Sequence, residues 1–116
     1  MALVFSKLNS NYSNIKNGRI ISQSWGIDRG YIHWASEALI CWGIAPMTNG
    51  QWSIRATFPQ TYTDAPKGIA HFVYNANAIL NVTSISTTTT DITVGKTDSS
   101  AAGEMRYIAF GRKTVS

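Results

Sequence analysis

The segment from Gly30 to Gly43 constrains the fold more than any other part of the chain, because it concentrates apolar side chains on both sides of one short polar break. It contains two tryptophans, a tyrosine and the single cysteine, but only one charged residue, Glu37. Two apolar runs, Tyr31–Trp34 and Leu39–Ile44, flank the break. This pattern predicts two buried strands joined by a turn at residues 35–38.

Strand signals recur along the rest of the chain at the spacing of about 8–12 residues that is typical of a sandwich or a barrel. The stretch 51–58 alternates, with Trp52, Ile54, Ala56 and Phe58 on one face. No window has a convincing helical period, so an all-β fold with little or no helix is predicted. Further strands are predicted at residues 69–74, 79–85, 91–96 and 104–112.

The charge pattern argues against nucleic-acid binding. Charged residues make up only 14% of the chain, and the net charge of +4 comes from scattered basic residues whose longest run is Arg112-Lys113. A nucleic-acid interface would need a basic cluster or stripe. Weak attraction to anionic cell-wall polymers suits this charge better.

The chain offers no signal for export or membrane insertion. Its N-terminal apolar run is four residues long, whereas a signal peptide needs about 7–15. No stretch approaches the roughly 20 apolar residues of a membrane span. With Cys41 as its single cysteine, the chain forms no intrachain disulfide. These features predict synthesis in a reducing cytosol and are typical of a virion component released by lysis.

Two regions are expected. Residues 1–24 contain polar, turn-like stretches, including Asn17-Gly18, and are interpreted as a lead-in segment that attaches the protein to other virion proteins. Residues 25–116 are expected to form one β-rich domain, a size typical of single domains. The last residues, 113–116, are predicted to be a frayed end.

Three ordered sets of residues carry a resemblance to a known family. The first is Trp25, Tyr31, Trp34 and Ser36, followed by Cys41-Trp42-Gly43. The second is Phe58-Pro59 with Tyr62 and Pro66, and the third is the run 107–111, Tyr-Ile-Ala-Phe-Gly. Together they resemble the C-terminal receptor-binding tip domains of bacteriophage tail fibres, which are similar to H-type lectins.

The resemblance implies an antiparallel β-sandwich of about six strands per subunit that assembles as a homotrimer and adheres to a saccharide on the bacterial surface. The residues support the trimer, since Leu39–Ile44 and Tyr107–Phe110 are apolar on both faces, whereas an antiparallel strand needs one apolar face. One departure is Glu37, which replaces the family's glycine. If that glycine has a positive φ, either Glu37 must adopt a costlier turn or the hairpin changes type.

Two aromatic residues are predicted to contact a ligand, because saccharides stack on exposed aromatic rings. Tyr62 lies in the polar loop 60–67, where its ring is expected to be accessible. Trp52 is the second candidate, although its place on the apolar face of its strand favours core packing. Trp34 and Trp42 are expected in the core.

Arg55 and Arg106 are the charged candidates for ligand binding. Arg55 lies on the polar face of its strand, and Arg106 is near the start of the last strand. An arginine binds a phosphate or carboxylate through two parallel hydrogen bonds, which suits an acidic saccharide. The alternative for each is an ordinary solvated side chain.

No catalytic residue, metal site or cofactor is predicted. His33 and His71 are 38 positions apart in separate strands and lack companion ligands at metal-site spacing. The six acidic residues stand in no recognisable catalytic pattern, and Cys41 lies in a buried strand, where a thiol is usually inert.

Three functions stay open at this point. The favoured one is a tail-fibre receptor-binding module. The same fold would also serve a capsid decoration, head-fibre or assembly protein, and a third reading is a stand-alone H-type-like lectin.

Overall fold

A computed structural model describes residues 18–74, 80–99 and 101–115. These residues form eight strands, so the all-β prediction is confirmed with more strands than the expected six or so. The strands are β1 (Ile20–Trp25), β2 (Arg29–Trp34), β3 (Ala38–Met47), β4 (Ser53–Thr57), β5 (Lys67–Tyr74), β6 (Val82–Thr87), β7 (Asp91–Lys96) and β8 (Gly103–Arg112). Within the described ranges, no helix is long and apolar enough to cross a membrane.

The strands form two antiparallel sheets that share one core. The large sheet has the order β1-β2-β3-β8-β5, and the small sheet has the order β4-β7-β6. Buried side chains from the inner faces of both sheets form one cluster, so the fold is a β-sandwich. Its centre is formed by Leu39, Cys41, Met47, Ile54, Ile92, Val94, Met105 and Ala109.

Alternation along β3 and β8 separates the two faces of the large sheet. In β3, Leu39 and Cys41 are buried, while Trp42 between the inward positions points to the outer face. In β8, Met105 and Ala109 are likewise buried. The apolar residues between these positions therefore lie outside the core of this chain.

Strand β3 runs further than its apolar sequence predicts and includes Pro46. Strand β2 pairs with β3 only as far as Gly43, so the last residues of β3 have β8 on one side only. A proline is tolerated at such an edge because its missing N–H is not needed by a neighbouring strand.

Glu37 occupies the turn between β2 and β3 with φ 80°. The costlier turn expected for a residue in place of glycine is therefore confirmed. Its carboxylate accepts hydrogen bonds from Arg112 Nη1 at 3.0 Å and from the Val115 amide at 3.3 Å. The hydrogen bond from Arg112 lowers the pKa of Glu37. The strained turn thus holds the C-terminal segment in place.

The prediction of a frayed end after β8 is wrong for residues 113–115. The Lys113 amide donates to the Glu37 carbonyl at 2.8 Å, and His33 Nε2 donates to the Lys113 carbonyl at 2.9 Å. The Thr114 amide donates to Thr63 Oγ1 at 2.8 Å. Two regions distant in sequence, residues 33–37 and Thr63, therefore bind this end of the chain.

The lead-in segment is described only in part. Residues 20–24 belong to β1, which pairs along β2 as the outermost strand of the large sheet. Residues 1–17 lie outside the described residues. The attachment role assigned to residues 1–24 stays a prediction.

Candidate functional site

The outer face of the large sheet, called the apolar face below, carries a continuous row of apolar side chains. Register places Trp25 opposite Gly30, Gly30 opposite Trp42, Trp42 opposite Ile108, and Ile108 opposite Ile69. Directly opposed residues point to the same face of a sheet. Ile69 is 60% exposed and Ile108 is 43% exposed. The row therefore crosses all five strands, and none of the residues that the structure describes covers it.

Trp25 and Trp42 form the most compact part of that row. Their ring centroids are 4.6 Å apart with the planes tilted by 49°. Gly30 lies beneath them, and a Cβ added there would be 2.5 Å from Trp42 Cζ2. The glycine is therefore required for the tryptophan to lie flat across β2. Trp42, which was expected in the core, is instead half-buried on the outer face.

Arg106 lies between two shallow cavities of the apolar face. One of about 320 Å³ is lined by Trp42, Ile69, His71 and Ile108 together with Arg106, and a second of about 200 Å³ lies on the side of Ile44. Arg106 Nε donates to Glu104 Oε2 at 2.5 Å. The predicted candidate Arg106 is thus a paired cation within a mainly apolar surface.

The outer face of the small sheet, called the polar face below, has the opposite chemistry. Register places Arg55 and Ser86 on either side of Thr93, and Thr57 opposite Asp91. The side chains that share this face are Ser53, Arg55, Thr57, Ser84, Ser86, Asp91 and Thr93. Hydroxyl groups and one ion pair therefore form the face.

Asp91 fixes the orientation of Arg55 on the polar face. Arg55 Nη2 donates to Asp91 Oδ2 at 2.7 Å, while Thr57 Oγ1 and Thr90 Oγ1 donate to the same carboxylate at 3.1 and 3.0 Å. The hydrogen bond from Arg55 is the main cause that lowers the pKa of Asp91, and Thr90 and Thr57 lower it further against the opposing effect of burial. Asp91 is 8% exposed, whereas the side chain of Arg55 is 71% exposed.

Trp52 precedes β4 and is 63% exposed. The alternation predicted for residues 51–58 holds for Ile54 and Phe58, which are buried, but Trp52 lies beyond the end of the strand. Its carbonyl accepts a hydrogen bond from the Lys96 amide at 3.0 Å. The backbone is thus anchored to the small sheet while the side chain stays accessible, so core packing is wrong for this tryptophan.

Tyr62 is not accessible, which contradicts its expected exposure as a loop residue. It is 2% exposed, and its ring packs edge-on against Phe58 with centroids 5.1 Å apart. Its hydroxyl donates to the Ala109 carbonyl at 2.9 Å. Burial is the main cause that raises the pKa of Tyr62. A ring enclosed in this way has no face on which a saccharide stacks.

The structure places Arg55 on the small sheet, Trp52 directly before the start of β4, and Arg106 on the large sheet. Asp91 was missed as a partner because it is 36 positions from Arg55, and only the pairing of β4 with β7 brings them together. In the part of the chain that the structure describes, no three His, Cys, Asp or Glu side chains are grouped as metal ligands.

The fold is similar to that of solved pyocin tail fibres. An N-truncated R1-type pyocin tail fibre matches with a TM-score of 0.63 at 17% identity, over 89% of this chain and 94% of that one. The R2 pyocin fibre of P. aeruginosa, residues 323–691, matches with a TM-score of 0.62 at 17% identity. That match covers 82% of this chain but only 27% of the R2 fragment. No family model and no curated protein matches the chain.

Proposed function

We propose that this chain is the receptor-binding module of a phage tail fibre or a phage-tail-like fibre, that it works as a homotrimer, and that it adheres to a saccharide on the bacterial surface. The single observation that carries the proposal is the uncovered apolar face on a fold similar to pyocin tail fibres. The resemblance of the ordered motifs to tail-fibre tips points the same way.

The apolar face supports self-association. Contiguous exposed apolar patches on soluble proteins mark interaction surfaces, whereas single exposed apolar residues are ordinary. Here Trp25, Trp42, Ile108 and Ile69 form one row, and register places Ile32, Ile40 and Phe110 in the next row. A second copy of the chain would remove both rows from water, which is a favourable contribution to association.

The ion pairs and lowered pKa values of the acidic side chains favour adhesion over catalysis. Asp91 is paired with Arg55, Glu104 with Arg106, and Glu37 with Arg112. A catalytic acid needs a pKa near the working pH, whereas the pKa values of Asp91 and Glu37 are lowered. These carboxylates are therefore better suited to holding arginines in place.

Attachment to the particle completes the proposal. Residues 1–24 are proposed to connect the module to other virion proteins, and the module is proposed to act outside the producing cell. A capsid decoration protein or a stand-alone lectin would have the same β-sandwich. The molecule that the protein binds therefore distinguishes these functions from receptor binding by a tail fibre.

Cell binding tests the proposed function. We expect the labelled protein to bind the surface of at least one strain in a panel of bacteria, and purified surface polysaccharide from that strain to compete. The matched control is the same protein after thermal unfolding. Absence of binding to every strain would contradict the proposal, and binding that only simple sugars inhibit across unrelated strains would favour the lectin.

A further inference from the structure

The two outer faces of the sandwich lie on opposite sides of the core. If the apolar face is covered by other copies of the chain, as the proposed function requires, the polar face stays accessible to a receptor. Arg55, an accessible candidate from the sequence, lies on this face, and the exposed Trp52 directly precedes β4 of the same sheet. Of the two outer faces, the polar face is therefore the one that a receptor can reach.

Arg55 is held in position before any ligand arrives. One of its nitrogens, Nη2, binds Asp91, and Asp91 is itself fixed by Thr57 and Thr90. A guanidinium has five N–H groups in a planar fork. Most of this side chain is exposed, so the remaining donors are directed to solvent from a fixed point. Fixing a long side chain in advance reduces the entropy lost on binding.

The polar face offers hydrogen-bond donors in excess. Its one carboxylate, Asp91, is nearly buried and accepts three hydrogen bonds, so it has little capacity left for a ligand. Arg55 donates only. The matching ligand group is therefore an acceptor, and an oxyanion such as a carboxylate or phosphate gives the strongest pairing with a guanidinium.

On the same face, Gly95 has no side chain and lies among hydroxyl groups. A Cβ added at Gly95 would be 2.6 Å from Ser84 Oγ and 2.6 Å from Thr83 Oγ1. Ser53 and Ser84 lie on either side of Gly95 in the sheet. These hydroxyls both donate and accept, which is what the hydroxyl groups of a saccharide need.

We infer that the polar face is the receptor site and that Arg55 binds an oxyanion, a carboxylate or a phosphate, carried by the surface saccharide. The inference rests on the proposed function, since it takes the saccharide as the partner. It goes further by naming the face, the binding residue and the chemical group that the ligand must carry.

The test uses a strain that the wild-type protein binds and the saccharide purified from it. One portion is treated to reduce its carboxylates, and another is treated with hydrofluoric acid to cleave phosphodiesters. One of these treatments is expected to abolish competition for cell binding and so identify the oxyanion. If neither treatment changes competition, the inference is overturned.

Variants assign the effect to Arg55. We expect Arg55→Gln to weaken binding roughly tenfold or more, since a charge-assisted hydrogen bond is lost. Arg55→Lys keeps a cation beside Asp91 but loses the fork, so a smaller loss is expected. Arg19→Gln removes the same charge from the exposed approach to β1 and is expected to bind normally. Thermal unfolding of each variant checks that it is folded.

The two proposals fail in different ways. If the wild-type protein binds no strain, the proposed function fails and the inference fails with it. If the wild-type protein binds cells and both Arg55 variants bind as tightly as Arg19→Gln, the inference alone is overturned. The module would then bind its receptor by a different surface.

Discussion

The outer faces of the two sheets differ more than any other pair of surfaces in this molecule. The apolar face presents Trp42, Ile108 and Ile69 in one row, while the polar face presents Arg55, Thr93 and Ser86 in register. Both sheets bury alternate side chains in the same core. The core does not constrain the outward positions, so we expect the chemistry of each outer face to depend on what that sheet contacts outside the chain.

The largest expected effect comes from a charge placed in the apolar face. Ile108→Glu is expected to convert the proposed trimer into monomers, since a carboxylate placed in an apolar contact between subunits should cost at least about 2 kcal/mol of association free energy. Ser86→Glu, an exposed position of the polar face, is the matched control and should leave the oligomer intact. Light scattering after size-exclusion chromatography measures both. An unchanged mass for Ile108→Glu would remove the distinction between the two faces.

The second prediction compares the interior of the small sheet with its edge. Ile54→Ala should lower the free energy of unfolding by about 2–5 kcal/mol, because Ile54 is buried in the shared core. Trp52→Ala should change it by no more than about 0.5 kcal/mol, because the side chain is mainly exposed. Denaturant unfolding measures both. Equal losses would mean that Trp52 packs against the core after all.

The third prediction separates a structural Tyr62 from a ligand-binding one. Tyr62→Phe should lower the free energy of unfolding by about 1 kcal/mol, because its buried hydrogen bond to the Ala109 carbonyl is lost. Tyr31→Phe removes an exposed hydrogen bond to Ser22 and should have a smaller effect. Unchanged stability with weakened cell binding would instead restore Tyr62 as a contact residue.

The smallest expected effect is on how the stability of the protein depends on pH, through the ion pair of the polar face. The pKa of Asp91 is lowered in the folded protein below its ordinary value of 3.8, mainly by Arg55. The stability that the ionised Asp91 carboxylate contributes to the folded protein is therefore present above pH 3.8. It is lost as the pH falls toward the lowered pKa. Arg55→Gln should reduce the melting temperature most near neutral pH, and the gap from the wild type should shrink in acid. A difference in melting temperature that does not change with pH would show that the ion pair between Arg55 and Asp91 does not stabilise the protein.

Much of the fold could be predicted because the alternation of apolar and polar residues along a strand is a local signal. The pattern around Ile54 and the apolar runs of β3 and β8 identify strands without knowledge of their neighbours. The apolar residues on the second side of β3 lie on the outer face of the large sheet, and their burial against a neighbouring subunit stays a prediction. The turn at Glu37 was predictable because only its own backbone conformation was in question.

The site could be predicted only in part, because its residues meet through long-range pairing. Arg55 was found on the polar face from its own strand, but Asp91 becomes its partner only when β4 pairs with β7. Tyr62 was misplaced because the loop after β4 folds over the end of the core and binds Ala109 of β8. Loop geometry of this kind depends on tertiary contacts that a local pattern does not encode.

Self-association through the apolar face is tested first by the solution molar mass of the wild-type chain. We expect a trimer of three times 12.7 kDa, that is 38.1 kDa, because we propose that other copies of the chain cover the apolar face. A stable monomer of 12.7 kDa at all concentrations would contradict self-association through the apolar face, since the two outer faces would then both be exposed to solvent.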